Sequence, residues 1–88
     1  MTNKIISTNE EIAFTDSIIL DLIKTGKAVE SRVVLKRNDK TADCRSVLEV
    51  LLLGTEKGTH VEVIADGSDE HQAIERIAGI FHKELQFN

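Results

Sequence analysis

The spacing of apolar positions changes several times along the chain, and each change marks an element. Lys4-Ile5-Ile6-Ser7 is a short strand-like segment. From Thr15 or Asp16 to Thr25 the rhythm becomes helical, with Ile18, Ile19, Leu22 and Ile23 on one stripe. Thr15 and Asp16 are both acceptable N-caps, and Gly26 stands where a C′ glycine would end the helix. Ser31 to Lys36 is rich in β-branched residues and predicts a second strand; Asn38-Asp39 turns the chain into a third, Lys40 to Cys44. Ser46 to Leu53 predicts a short helix. Ser46-Val47-Leu48-Glu49 fits a capping box with Ser46 at the N-cap, and Gly54 follows the last leucine. His60 to Asp66 alternates, placing Val61, Val63 and Ala65 on one face. After Asp66-Gly67-Ser68, Ser68 or Asp69 caps a last helix running to about Leu85, with Ala73, Ile74, Ile77, Ala78, Phe81 and Leu85 as its buried stripe. The order β-α-β-β-α-β-α implies an α+β fold with helices on one face of an antiparallel sheet.

Composition narrows what this fold can do. Eighty-eight residues build one core, so residues 1–88 are expected to form a single domain. Apolar runs no longer than Val50-Leu51-Leu52-Leu53 exclude a transmembrane helix, and the opening residues lack the apolar stretch of a signal peptide, so a cytoplasmic location is expected. A net charge of −4 without a basic patch argues against nucleic acid. Three phenylalanines with no tryptophan or tyrosine leave little aromatic surface for stacking a sugar or a base.

Few side chains carry chemistry. The single cysteine, Cys44, excludes an internal disulfide and fits a small buried hydrophobe better than a redox centre. His71 and His82 share a helical face but stand about 16 Å apart, too far to share a metal. His71 with Glu75 fits an i, i+4 surface pair, and Asp69-Glu70 complements a helix dipole. No nucleophile–base pair, phosphate loop or metal cluster is visible, and no cofactor is expected.

The order of elements and several motifs resemble the HPr family, the histidine-containing phosphocarrier proteins of the bacterial sugar phosphotransferase system. The resemblance runs from Glu30 to Phe81. Its most specific part is Lys40-Thr41-Ala42-Asp43-Cys44-Arg45-Ser46-Val47-Leu48-Glu49-Val50-Leu51-Leu52-Leu53-Gly54, followed by Lys57-Gly58 and Val61 to Glu70. It implies an open-faced β-sandwich of four antiparallel strands with three helices on one face, and a non-enzymatic protein that works through protein contacts.

The N-terminal part departs from that pattern. The family carries its phosphoryl group on a histidine in a Gly-x-His-Ala-Arg-Pro-type segment at the start of the first helix. Without gaps, Thr15 occupies the histidine position, Ser17 the arginine and Ile18 the proline; a shift of two residues puts Ala13 and Thr15 there instead. The three histidines, His60, His71 and His82, all lie in the C-terminal third. Phosphothreonine is a poor phosphoryl donor, no base adjoins Thr15, and Glu10, Glu11, Asp16 and Asp21 repel an incoming phosphate. Thr15 is therefore read as an N-cap, and no catalytic residue is assigned.

Ser46 is retained. In the resembling family this serine is the target of an ATP-dependent HPr kinase/phosphorylase, and a branch called Crh lacks the histidine but keeps the serine. The resemblance thus implies catabolite-repression control of carbohydrate metabolism, with the kinase, a catabolite-control transcription regulator or enzyme I as partners. A phosphate on Ser46 would meet the helix N-terminus, and Arg45 could pair with it. Glu49, where the family has a small glycine, would reach back toward the cap and repel it. Cap-only and phosphorylated readings both stay open. The resemblance also suggests that Val47, Leu48 and Leu51 face outward as a partner surface; burial under residues 55–59 or self-association is the alternative, so monomer and weak dimer both remain.

Overall fold

The computed structural model describes residues 1–85, with side chains to His82. Its elements are β1 (Thr2–Ser7), α1 (Asp16–Ala28), β2 (Arg32–Arg37), β3 (Lys40–Asp43), α2 (Val47–Gly54), β4 (His60–Asp66) and α3 (Glu70–Leu85). The strands form one antiparallel sheet in the order β1-β4-β2-β3. Ile5 faces Glu62 across β1 and β4, and Lys36 faces Glu62 across β2 and β4, which fixes the register of the central strands.

Alternation assigns the two faces of the sheet. Ile6, Val33, Leu35, Ala42, Val61, Val63 and Ala65 point to the helices and are buried, while Asn3, Ile5, Lys36 and His60 lie exposed on the other side. α3 closes the core with Ala73, Ile74, Ile77, Ala78 and Phe81, as the helical spacing predicts; the Leu85 side chain lies outside the described residues. α1 contributes Ile18, Leu22 and Ile23, and α2 contributes Val50 and Leu53.

Gly26 does not end α1. The helix continues to Ala28, and its cap is Val29, whose N–H bonds Thr25 O at 3.1 Å. Gly26 is instead needed where α1 crosses the end of β3: a Cβ there would lie 2.7 Å from Cys44 Cβ and 2.9 Å from the Cys44 carbonyl. Asn38 takes the left-handed conformation (φ 57°) at the turn the sequence marks between β2 and β3.

Asp69 links the ends of two elements. Its carboxylate accepts from the N–H of Glu30 (3.0 Å) and of Ser31 (2.9 Å) and from the Ser31 hydroxyl, and its own carbonyl accepts from Ala73 N to start α3. These bonds hold the Asp69 carboxyl down at about 2. Glu75 faces Lys4 at 3.8 Å, so the i, i+4 pair expected with His71 gives way to a contact between α3 and β1.

Candidate functional site

Two helix N-termini carry the candidate chemistry. At α1, Thr15 is the N-cap: its hydroxyl accepts from Ile18 N at 3.2 Å, and its carbonyl accepts from Ile19 N at 2.9 Å. Ser17 is exposed beside it and Ile18 is buried in the core. Thr15 therefore does the capping work that its sequence position suggests.

The segment before Thr15 is fastened to the loop ahead of β4. Thr8 N donates to Thr59 O (3.0 Å) and Ile12 N to Gly58 O (2.9 Å). Beneath it lies Arg37, which no sequence motif marks. As the last residue of β2 it points to the helix side, where it is 2% exposed. Its Nη2 donates to the carbonyls of Ile12 (2.7 Å) and Gly58 (3.0 Å), and its guanidinium lies 5.3 Å from the centre of the Phe14 ring. Burial lowers its pKa from the usual arginine value, opposed by the charges of Glu11 and Glu56. The available signal was alternation itself: Val33, Leu35 and Arg37 share a face.

At α2, Ser46 is the N-cap and its hydroxyl accepts from Glu49 N at 3.2 Å. Only half of the expected capping box forms. The Glu49 carboxylate does not return to Ser46 N, which donates to Asp43 O (2.9 Å); it accepts instead from Asp43 N at 2.9 Å. The Asp43 carboxylate accepts from Arg45 N (2.8 Å) and lies 3.4 Å from Arg32 Nε.

Arg45 is also occupied elsewhere. Its Nε donates to Gly26 O (3.0 Å) and its Nη2 to Val29 O (3.0 Å), so its charge sits at the C-terminal end of α1 rather than on the Ser46 hydroxyl. The sequence expectation that Arg45 pairs with a Ser46 phosphate requires it to leave these carbonyls.

The outer face of α2 is apolar. Val47, Leu48 and Leu51 are 49%, 66% and 46% exposed, as expected. Leu52 joins them at 60%, and Leu20 on α1 is 55% exposed. Leu52 follows from the helix rise, since Val50 and Leu53 take the inward positions and turn it outward. Cys44 is fully buried, and burial pushes its thiol up to about 12. Among the described residues no group of histidine, cysteine and carboxylate side chains could hold a metal, and no helix is long and apolar enough to cross a membrane.

An open antiparallel sheet of four strands with three helices on one side defines a small α+β domain of a recognisable class, and comparison with known proteins gives its family. The family model described as "PTS HPr component phosphorylation site" matches residues 19–83. The chain belongs to the HPr family. The matched span begins after Thr15, Ser17 and Ile18 and includes Ser46. The phosphocarrier protein HPr of Xylella fastidiosa is 31% identical over 67 residues, covering 76% of this chain and 73% of that protein. HPr-C-His from Thermoanaerobacter tengcongensis has the same fold, with a TM-score of 0.84 at 18% identity over 100% of this chain and 99% of that one. Crh of Bacillus subtilis, described as a swapped dimer, gives a TM-score of 0.70 at 23% identity over 96% and 97% of the two chains.

Proposed function

We propose that this HPr-family protein is regulatory and does not carry phosphate on its first helix. Ser46 is its phosphorylation site, and Val47, Leu48 and Leu51, joined by Leu52, form its docking surface. The observation that carries the reading is the contrast between the two caps. The α1 start presents the Thr15 and Ser17 hydroxyls among carboxylates and no histidine, whereas the α2 start presents the Ser46 hydroxyl next to exposed leucines.

The electrostatics favour a charge at Ser46 more than the sequence suggests. With the Glu49 carboxylate bound to Asp43 N, its repulsion of a phosphate on the cap is reduced. A phosphate there gains the unpaired N–H groups and dipole of α2, about 1 kcal/mol. It can then draw Arg45 from the α1 carbonyls or offer a site to a partner's arginine. The partners that fit are an HPr kinase/phosphorylase and a catabolite-control regulator in the cytoplasm. Incubation with such a kinase and ATP should add one phosphate, and Ser46→Ala should abolish the addition.

A second reading rests on the same face. Four neighbouring exposed apolar side chains on one eight-residue helix also suit self-association without phosphorylation, as a weak dimer. Light scattering on the intact protein separates the readings, because Leu51→Glu abolishes a dimer held by α2 and leaves a monomer unchanged. An unconventional phosphocarrier role would instead give an acid-labile mass increase with phosphoenolpyruvate and enzyme I.

A further inference from the structure

A second surface lies away from α2, on the face of the sheet turned away from the helices. β2 and β4 are the two central strands, and their registered neighbours on that face sort by character. Arg32 stands beside Asp66, Val34 beside Ile64, and Lys36 beside Glu62. β2 thus presents two cations around a valine, and β4 two carboxylates around an isoleucine. Opposite charges across a strand pair ordinarily close on each other; here they do not. Arg32 Nε lies 3.4 Å from the Asp43 carboxylate instead, and Asp66 lies 3.5 Å from the N-terminal ammonium. The Glu62 carboxylate accepts from Asn3 Nδ2 at 2.8 Å, and Lys36 makes no ion pair among the described residues. Val34 and Ile64 are only half-buried, and Ile5, beside Glu62 on β1, is 62% exposed.

Such a face is complementary to itself. A twofold axis lying in the interface, along the line between β2 and β4, sets β2 of one copy over β4 of the other. Arg32 then lies over Asp66 of the second copy, Val34 over its Ile64, and Lys36 over its Glu62, and each pair occurs twice. The same axis exchanges β1 with β3, so Ile5 comes over Thr41, at the opposite end of the row that holds Glu62 and Lys36. An axis running across the strands fails, because it sets Arg32 over Lys36 and Glu62 over Asp66. We propose that two copies of this chain associate face to face through the open side of the sheet, about the axis between β2 and β4. The face measures about 19 Å by 17 Å, roughly 320 Å², against about 800 Å² per partner in a stable dimer, so the association is weak and reversible. This inference is independent of the Ser46 reading and of the α2 surface.

The test is sedimentation of the full chain at low salt, from about 10 μM to about 1 mM, the range in which so small an interface exchanges. The parent should show a concentration-dependent monomer–dimer equilibrium. Lys36→Glu alone and Glu62→Lys alone should each weaken it about tenfold or more, because both copies of the pair become repulsive. An equimolar mixture of the two variants should dimerise at least as well as the parent, since each acid again lies over a lysine of the other copy. A role confined to one chain cannot give that rescue. Should either variant fail to fold, Arg32→Glu mixed with Asp66→Lys repeats the test on the outer pair, whose side chains are both exposed. Leu51→Glu, on the opposite side of the molecule, should leave the equilibrium unchanged. A parent that stays monomeric throughout, a dimer indifferent to the single reversals or lost in Leu51→Glu, or a mixture that stays monomeric would overturn the proposal.

Discussion

The carboxylate of Glu49 accepts from the backbone N–H of Asp43, 2.9 Å away, and so ties the start of α2 to the end of β3. Ser46 is left as a one-sided cap, bonded to Glu49 N and free of a competing carboxylate. Ser46→Ala should cost about 1 kcal/mol in denaturant unfolding, while Ser46→Asp, itself a good cap, should stay close to the parent. Glu49→Ala should cost a similar amount by freeing Asp43 N. If Ser46→Ala left stability unchanged, the hydroxyl would not be capping the helix.

Gly26 gives a sharper stability test. In an exposed helix interior, replacing glycine with alanine gains about 1 kcal/mol. Here the added carbon meets Cys44 at 2.7 Å, with backbone atoms close behind. Gly26→Ala should therefore destabilise the protein by about 1–3 kcal/mol. A rise in thermal midpoint would show that α1 and β3 are farther apart than described.

Acid should loosen the junction of α3 with β2. Asp69 has its pKa lowered in the folded state, to about 2 from 3.8, by the Ser31 hydroxyl and by the N–H groups of Glu30 and Ser31. A depressed carboxyl contributes stability that is complete above the unfolded value and fades as pH falls toward the folded one. The unfolding free energy should thus fall between about pH 4 and pH 2, and Asp69→Asn should flatten that part of the profile. Equal slopes in the two proteins would remove Asp69 from the account.

Cys44 should be inert in the native state. It is fully buried with its thiol raised to about 12, so little thiolate exists at neutral pH and reagents cannot reach it. A disulfide reagent should label it only as fast as the protein opens, and promptly in denaturant. Labelling at the rate of a free thiol would contradict the packing of α1 on β3.

Much of this was legible in the sequence because one physical signal governed it. The strands and helices followed from apolar spacing, while the outward turn of Val47, Leu48 and Leu51 was suggested by the family resemblance. What escaped depended on contacts across the fold. Gly26 looks like a helix stop until Cys44 is known to lie against it, and Glu49 matches a capping box until Asp43 N offers a nearer partner. Arg37 was hidden because a cation at a strand end ordinarily faces water. Here the inward face of β2 and the Ile12 and Gly58 carbonyls draw it under the chain. Leu20 stands off the buried stripe of α1, and apolar spacing marks only the residues on that stripe.

The central claim is that phosphate chemistry in this chain has moved from the first helix to Ser46. Intact mass spectrometry after incubation with an HPr kinase/phosphorylase and ATP tests it most directly, with Ser46→Ala and an HPr that carries the histidine in parallel. The account predicts one added phosphate on the parent chain and none on Ser46→Ala. An unmodified parent chain, with the control HPr phosphorylated under the same conditions, would contradict it.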